Sequence, residues 1–424
     1  MRTIWRVLVD HRDFRLLLGA GLVSMTGDWI LEIGLAYYIY AITGSTLASA
    51  TMLLASFVPQ ILFSSVAGVF VDRWDRKRTM IGANLLLCVG LAPLLLVHRA
   101  DQVWIVYIVL MWEGIVQVFF SPAEQALVPH LVPDDRLVTA NALNGQNADL
   151  SRLIGSAVGG VVAGLGGISA LAAVDAATFV LAASMVAAVR TSGRAVDPDA
   201  APETSTRELE GRLMRLWKEW LNGLRAAASQ RVLRVIFAFV LVTSVGEGIM
   251  GTLFAPFVRD VLHGSAEAYG LIVSVQAIGG IAGGLVAASV GHRVSAAHLF
   301  GWGSVVFGVV DLTMFLYPLV WVQVWPAAAC MIVVGVPGAL TVAGFMTLFQ
   351  RSTADAYRGR VFGAMGLVQS VAMVGGAIGA GFLGSSVGIV PVLAFQGGGY
   401  LVAGCAIVVL LRQVTRTPAE PAAV

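Results

Sequence analysis

The chain has 424 residues, of which 58% are hydrophobic and only 12% charged, and its mean hydropathy is +0.83. Soluble domains are about half apolar and about one quarter charged, so these proportions exclude a soluble enzyme, a nucleic-acid binder and a disordered scaffold. The net charge of +2, from 27 Lys and Arg against 25 Asp and Glu, says little by itself; the positions of the charges carry the information.

Apolar windows long enough to span a bilayer, about 20 residues each, fall near 16–40, 47–71, 79–97, 103–120, 139–165, 169–189, 235–258, 269–290, 298–317, 321–349, 361–383 and 390–411. The first follows a basic start and is too long for a signal-peptide core, so it reads as a retained span. Twelve spans place both termini on one side, and that side collects 24 of the Lys and Arg residues against two, Arg99 and Arg259, on the other. This asymmetry predicts cytoplasmic termini. Cys88, Cys330 and Cys405 stand far apart in apolar runs and read as small buried hydrophobes.

The longest polar stretch separates spans six and seven and predicts a first bundle over 1–190, a cytoplasmic linker over 191–234, and a second bundle with a short tail over 235–424. In the linker, Ser205 and Glu208 have capping-box spacing, and Leu209, Leu213, Leu216, Trp217, Trp220 and Leu224 share one helical face. That pattern suits a helix on the inner leaflet or one packed beneath the bundle. The halves repeat: Ser24–Asp28 matches Thr243–Glu247, Gln60 and Gly68 match Gln276 and Gly284, and Gly155, Gly159 and Gly164 match Gly375, Gly379 and Gly384, at offsets of 216 to 220. A duplicated six-span unit follows.

Eight ionisable residues fall inside predicted spans: Asp28, Glu32, Glu113, Asp149, Arg152, Asp175, Glu247 and Asp311. Each is costly in lipid unless it faces a cavity or a partner. Asp28 and Glu32 are four apart on one helical face, and two neighbouring carboxylates removed from water are suited to exchanging protons. Glu113 shares a face with Gln117, and Glu247 is the repeat partner of Asp28. These four acids are the proton-coupling candidates; the other reading is a pair neutralised structurally, by Arg152, for Asp28 and Glu32, and hydrogen-bonded structural acids for Glu113 and Glu247. Asp149 and Arg152, three apart, read as a local ion pair, while Asp175 and Asp311 lie nearer the outer ends, where they could reach water. Lys77 and Lys218, the only lysines, follow no phosphate loop, and no His or Ser motif of a hydrolase is present.

Gly68-Val-Phe-Val-Asp72-Arg73-Trp-Asp-Arg76-Lys77-Arg78 resembles the loop signature of the major facilitator superfamily. Ser24–Asp28, Pro59, Pro122-Ala123, Leu131-Val132-Pro133, Ala140-Asn141-Ala142-Leu143 and Arg358-Gly359-Arg360-Val361 resemble its drug:proton antiporters, in the macrolide-efflux and enterobactin-exporter-like branch. The second-half loop departs, with Ala288 and Ser289 in place of Asp and Arg; span four has Leu110 where many antiporters carry Arg, and span five has Gly155-Ser156 for Gly-Pro.

The resemblance implies an all-α membrane protein of twelve helices in two pseudo-symmetric six-helix bundles, working by alternating access. It casts Gly68, Asp72, Arg73, Arg76, Lys77 and Arg78 as a conformational latch, with Asp72 meeting the N-terminus of span eleven; for the basic residues the plainer reading is a loop that fixes topology. Trp29, Tyr37, Tyr38, Trp112, Gln117, Met250, Phe254 and Gln276 are the expected cavity set, suited to a bulky, cationic ligand. The expected protein is a monomeric proton-coupled exporter of amphipathic or lipophilic compounds in the bacterial cytoplasmic membrane. Its partners are a small-molecule substrate, protons and membrane lipids, with no nucleic acid, cofactor or metal. The alternatives are a siderophore exporter, a lysolipid or lipid flippase, and, disfavoured, a membrane enzyme or scaffold.

Overall fold

The computed structural model describes residues 8–71, 74–133, 136–191, 230–291, 293–353 and 355–411. The expected linker helix lies outside them. Among the described residues there is no strand. Eleven helices are long and apolar enough to cross a membrane: α1 (Arg12–Thr43), α2 (Thr46–Val71), α3 (Arg76–Gly90), α4 (Val103–Leu127), α5 (Leu137–Ala187), α6 (Arg231–Pro256), α7 (Ala266–Val290), α8 (Ala296–Leu316), α9 (Trp325–Ser352), α10 (Asp355–Ser386) and α11 (Ile389–Leu410).

The twelve predicted spans become eleven helices because α5 contains spans five and six. Its 51 residues would reach about 75 Å if straight, more than twice the roughly 30 Å hydrocarbon core. Gly167 breaks it, with φ 59° and ψ −153°, a backbone that glycine adopts without steric cost. The register on α1 shows the reversal. Asn147 and Ser151 donate to the carbonyls of Leu18 and Leu22, at 2.7 and 3.2 Å, so partner numbers rise together before Gly167. After it they run oppositely: Met185 packs at Gly19, Thr178 at Gly27 and Leu171 at Gly34. Helix α1 thus contacts two neighbours, one parallel to it and one antiparallel.

The chain forms two compact units. One comprises Met1–Pro202 with Val258–Asp260 and Gly264–Ser274; the other comprises Glu203–Phe257, Val261–His263 and Val275–Val424. In the first, α1 packs on both halves of α5, α2 on α4, and α3 on α4 and α5. In the second, α6 packs on α10 and α11, and α8 on α9 and α11, while Gly279 and Gly283 of α7 meet Ile332 and Val336 of α9. With α5 counted as two spans, the pairing is the same in both units, so the duplication read in the sequence is also one of packing.

Small residues let these backbones close, as they must where lipid removes the hydrophobic drive between helices. A methyl group on Gly155 or Gly159 would overlap α1 at Thr26, Trp29 or Ile30. The second-half counterparts behave differently: nothing lies within 4 Å of the Cβ position of Gly375 or Gly379, and it is Gly376 that meets the Val245 carbonyl. Aligning glycines by one offset misses a one-residue rotation of the contact face. Apolar side chains are displayed outward, Leu165 at 83%, Leu285 at 70% and Val402 at 69% exposure, as a lipid-facing surface requires. Cys405 is exposed rather than buried, and Cys88 and Cys330 are half-buried.

Of the expected latch, Asp72 and Arg73 lie outside the described residues, and Gly68 falls within α2. The remaining basic residues make defined contacts. Arg76 donates to the Ala126 carbonyl at 3.0 Å, and Lys77 to the Val189 carbonyl at 2.6 Å. Both cations therefore sit at helix C-termini, of α4 and α5, where the macrodipole favours them. The Arg78 amide donates to Asp75, the N-cap of α3, at 2.9 Å.

A carboxylate-lined cavity as the candidate functional site

In the first unit α1, α2 and α4 enclose a cavity of about 530 Å³. Helix α1 contributes Ser24, Met25, Asp28 and Glu32 on one face, α2 contributes Ser56 and Gln60, and α4 contributes Glu113, Gln117 and Glu124. The spacing explains the convergence: residues 24, 25, 28 and 32 repeat at the helical period, as do 113, 117 and 124. Gln117 donates to Asp28 Oδ2 at 3.3 Å. Carboxylate oxygens of Asp28, Glu113 and Asp175 all lie within 4.8 Å of one another. One oxygen of each, Asp28 Oδ1, Glu113 Oε2 and Asp175 Oδ2, is buried without a hydrogen-bond partner.

Asp175 does not reach water, as its position in the sequence suggests, but is fully buried. Its Oδ1 accepts from Thr178 at 3.1 Å, and Gly27 gives the two side chains room, since a methyl group there would overlap both. Glu124 has no counterpart among the expected sites, because the apolar window of span four ends near 120. The helix continues through Pro122 to Leu127, bringing Glu124 into the cavity. Glu124 also lines a second cavity, about 570 Å³, with Met25, Asn141, Asn144 and Asn147. The three-residue asparagine spacing on α5 is the signal that could have located this polar extension.

Several expected cavity residues lie elsewhere. Trp29 packs against Gly155. Trp112 donates its indole N–H to the Leu86 carbonyl at 3.1 Å and lies on the exposed side of α4. Each is the immediate neighbour of a cavity acid, and adjacent helical residues point about 100° apart. Tyr37 donates to the Gly264 carbonyl at 2.9 Å, and the Tyr38 ring packs at Gly167; both are roughly two and a half to three turns beyond Asp28, outside the cavity lining. Asp149 and Arg152 form no ion pair, unlike the expectation: Asp149 is exposed, and Arg152 Nε is buried without a partner.

In the second unit Glu247 accepts a 2.6 Å hydrogen bond from Tyr400. Gly246 abuts Gln396 as Gly27 abuts Asp175, so Gln396 occupies the place of Asp175 in the repeat. Asp311 is buried at 2% exposure, and one of its oxygens, Oδ2, lacks a partner. Phe254 is buried and stacks on Phe257 with centroids 6.1 Å apart; Met250 and Gln276 are half-buried.

Paired six-span units with acids buried inside the helical layer define a secondary transporter of the major facilitator type. The chain belongs to the family described as transmembrane secretion effector, whose family model matches residues 7–422. It is 26% identical over 375 residues to macrolide efflux protein A of Streptococcus pyogenes, covering 87% of this chain and 88% of that protein. To the staphyloferrin A transporter of Staphylococcus aureus it is 23% identical, over 79% of this chain and 80% of the relative. Among solved structures, a bacterial homologue of the iron transporter ferroportin in an inward-facing state superposes with a TM-score of 0.75 at 13% identity, covering 95% and 99% of the two chains. A POT family transporter gives 0.74 at 11% identity, covering 96% and 97%; at such identities these likenesses show the fold alone.

Proposed function

We propose that the protein exports amphipathic or lipophilic compounds across a bacterial cytoplasmic membrane in exchange for protons, with both termini cytoplasmic. The observation that carries this reading is the convergence of Asp28, Glu113 and Asp175 within 4.8 Å beside a cavity that also holds Glu32 and Gln117. Three carboxylates so close repel one another, and the charge of such a cluster is a variable that both a proton and an incoming cationic substrate can change. Glu247, held by Tyr400, is the matching acid of the second half. The relation to macrolide efflux protein A supports a macrolide as the first substrate to try.

The test is efflux of a labelled macrolide from proteoliposomes under an imposed pH gradient. Gradient-dependent movement that a protonophore abolishes is the expected result. Movement indifferent to the gradient would reject proton coupling. A second reading, siderophore export, has one supporting observation in the staphyloferrin A relative, and labelled staphyloferrin A in the same vesicles separates the two.

A further inference from the structure

In the second unit a groove of about 640 Å³ runs between α6 and α11, lined by Arg231, Arg234, Val235, Ala238, Phe239, Val242, Val402, Ala403, Ala406 and Leu410. Its chemistry is divided along its length. Both arginines stand at the start of α6 and are exposed, and no acid occupies that first turn. Among the described residues neither forms an ion pair or a side-chain hydrogen bond. Everything beyond them is apolar: Ala238, Ala403 and Ala406 keep the floor low, while Val242 and Val402 display their side chains outward.

The length is informative. From Arg231 to Val242 the helix rises about 16 Å, which is half of the roughly 30 Å hydrocarbon core and therefore the depth of one leaflet. An apolar slot one leaflet deep, topped by two guanidinium groups that pair with no described residue, is complementary to one kind of molecule. We propose that this groove binds an anionic phospholipid, its phosphate held by Arg231 and Arg234 and an acyl chain laid along Val235, Ala238, Val402 and Ala406. Guanidinium groups suit phosphate because they offer paired donors in a planar fork. By the Lys and Arg distribution this is the cytoplasmic leaflet, where anionic headgroups are attracted by basic residues. The site lies outside the acid-lined cavity, and its occupancy does not depend on what the protein exports.

Native mass spectrometry of the full chain, released from detergent with added phosphatidylglycerol or phosphatidylcholine, tests this. Phosphatidylglycerol adducts should be retained about fivefold or more over phosphatidylcholine adducts. Arg231→Gln with Arg234→Gln should remove that preference, Arg231→Lys with Arg234→Lys should restore most of it, and Ala406→Phe should reduce adducts of both lipids by filling the slot. Inorganic phosphate at millimolar concentration should not displace the lipid. Equal retention of the two lipids by the unaltered chain would overturn the proposal, leaving the groove to another occupant such as residues 192–229. Full displacement by phosphate, or an unchanged preference in the double glutamine variant, would overturn it as well.

Discussion

Asp28 is the residue on which the coupling reading turns, since one of its oxygens accepts from Gln117, the other has no hydrogen-bond partner, and Glu113 and Asp175 lie within 4.8 Å of its carboxylate. Asp28→Asn keeps the shape and the hydrogen bond but removes the charge that a proton would cancel. Gradient-driven transport should stop while substrate still binds and equilibrates downhill, checked by pairing vesicle efflux with equilibrium binding. Glu32→Gln should slow transport less, because Glu32 lies one turn away and outside the 4.8 Å cluster. Full gradient-driven activity in Asp28→Asn would transfer the role to Glu113 or Glu247. Asp28, Glu32 and Glu113 were legible in the sequence because a carboxylate in an apolar window is conspicuous. Asp175 was visible but misplaced: depth along a span can be counted, whereas the neighbour that covers a side chain cannot. Its burial depends on Gly27 of a helix about 150 residues away in sequence, whose missing side chain gives Asp175 and Thr178 their space.

At the scale of helices, close backbone approach decides which glycines matter, and the repeat provides a contrast. Gly27→Ala and Gly376→Ala each force a methyl group into a facing element, and overpacking of this kind costs about 1–3 kcal/mol. Gly375→Ala adds the same methyl group into open space and should leave stability unchanged or raise it by up to about 1 kcal/mol, because alanine is the better helix former. Thermal unfolding of the three variants in one detergent checks the order; a Gly375→Ala as damaging as Gly376→Ala would contradict the packing described. Lys77→Met tests helix ends in the same way. Losing the bond to the Val189 carbonyl should cost about 0.3–2 kcal/mol and lower the melting temperature, with transport per folded molecule unchanged. Helix existence was legible here from long apolar runs, and the α5 turn from the gap between two windows. Facing partners were not legible, because periodicity defines a face of a helix without naming what it meets; Trp29 and Trp112 are next to cavity acids in sequence, and one helical step turns them away from the cavity.

Over the whole molecule, the duplication survives where sequence identity between halves has faded: the two units pair their helices in the same order, although Asp175 is matched by Gln396 and the first-half loop signature has no second-half equal. Packing of small residues tolerates such drift, because it requires only that one backbone come close to another. Charges are freer still in detail but constrained in sum, since translocation during insertion responds to the Lys and Arg count of each short loop. The bias of 24 residues against two therefore predicts orientation without reference to any contact. A single cysteine at Ala200, in the central polar stretch, should resist an impermeant thiol reagent in intact cells and react once the membrane is permeabilised. The background must first be cleared, because Cys405 is exposed and Cys88 and Cys330 are half-buried; Ser or Ala at all three leaves the added thiol as the sole reporter. A second reporter at Asp101, between α3 and α4, should show the opposite pattern and label in intact cells. Equal labelling of Ala200→Cys in both preparations would reject cytoplasmic termini, and with them the assignment of Arg231 and Arg234 to the inner leaflet.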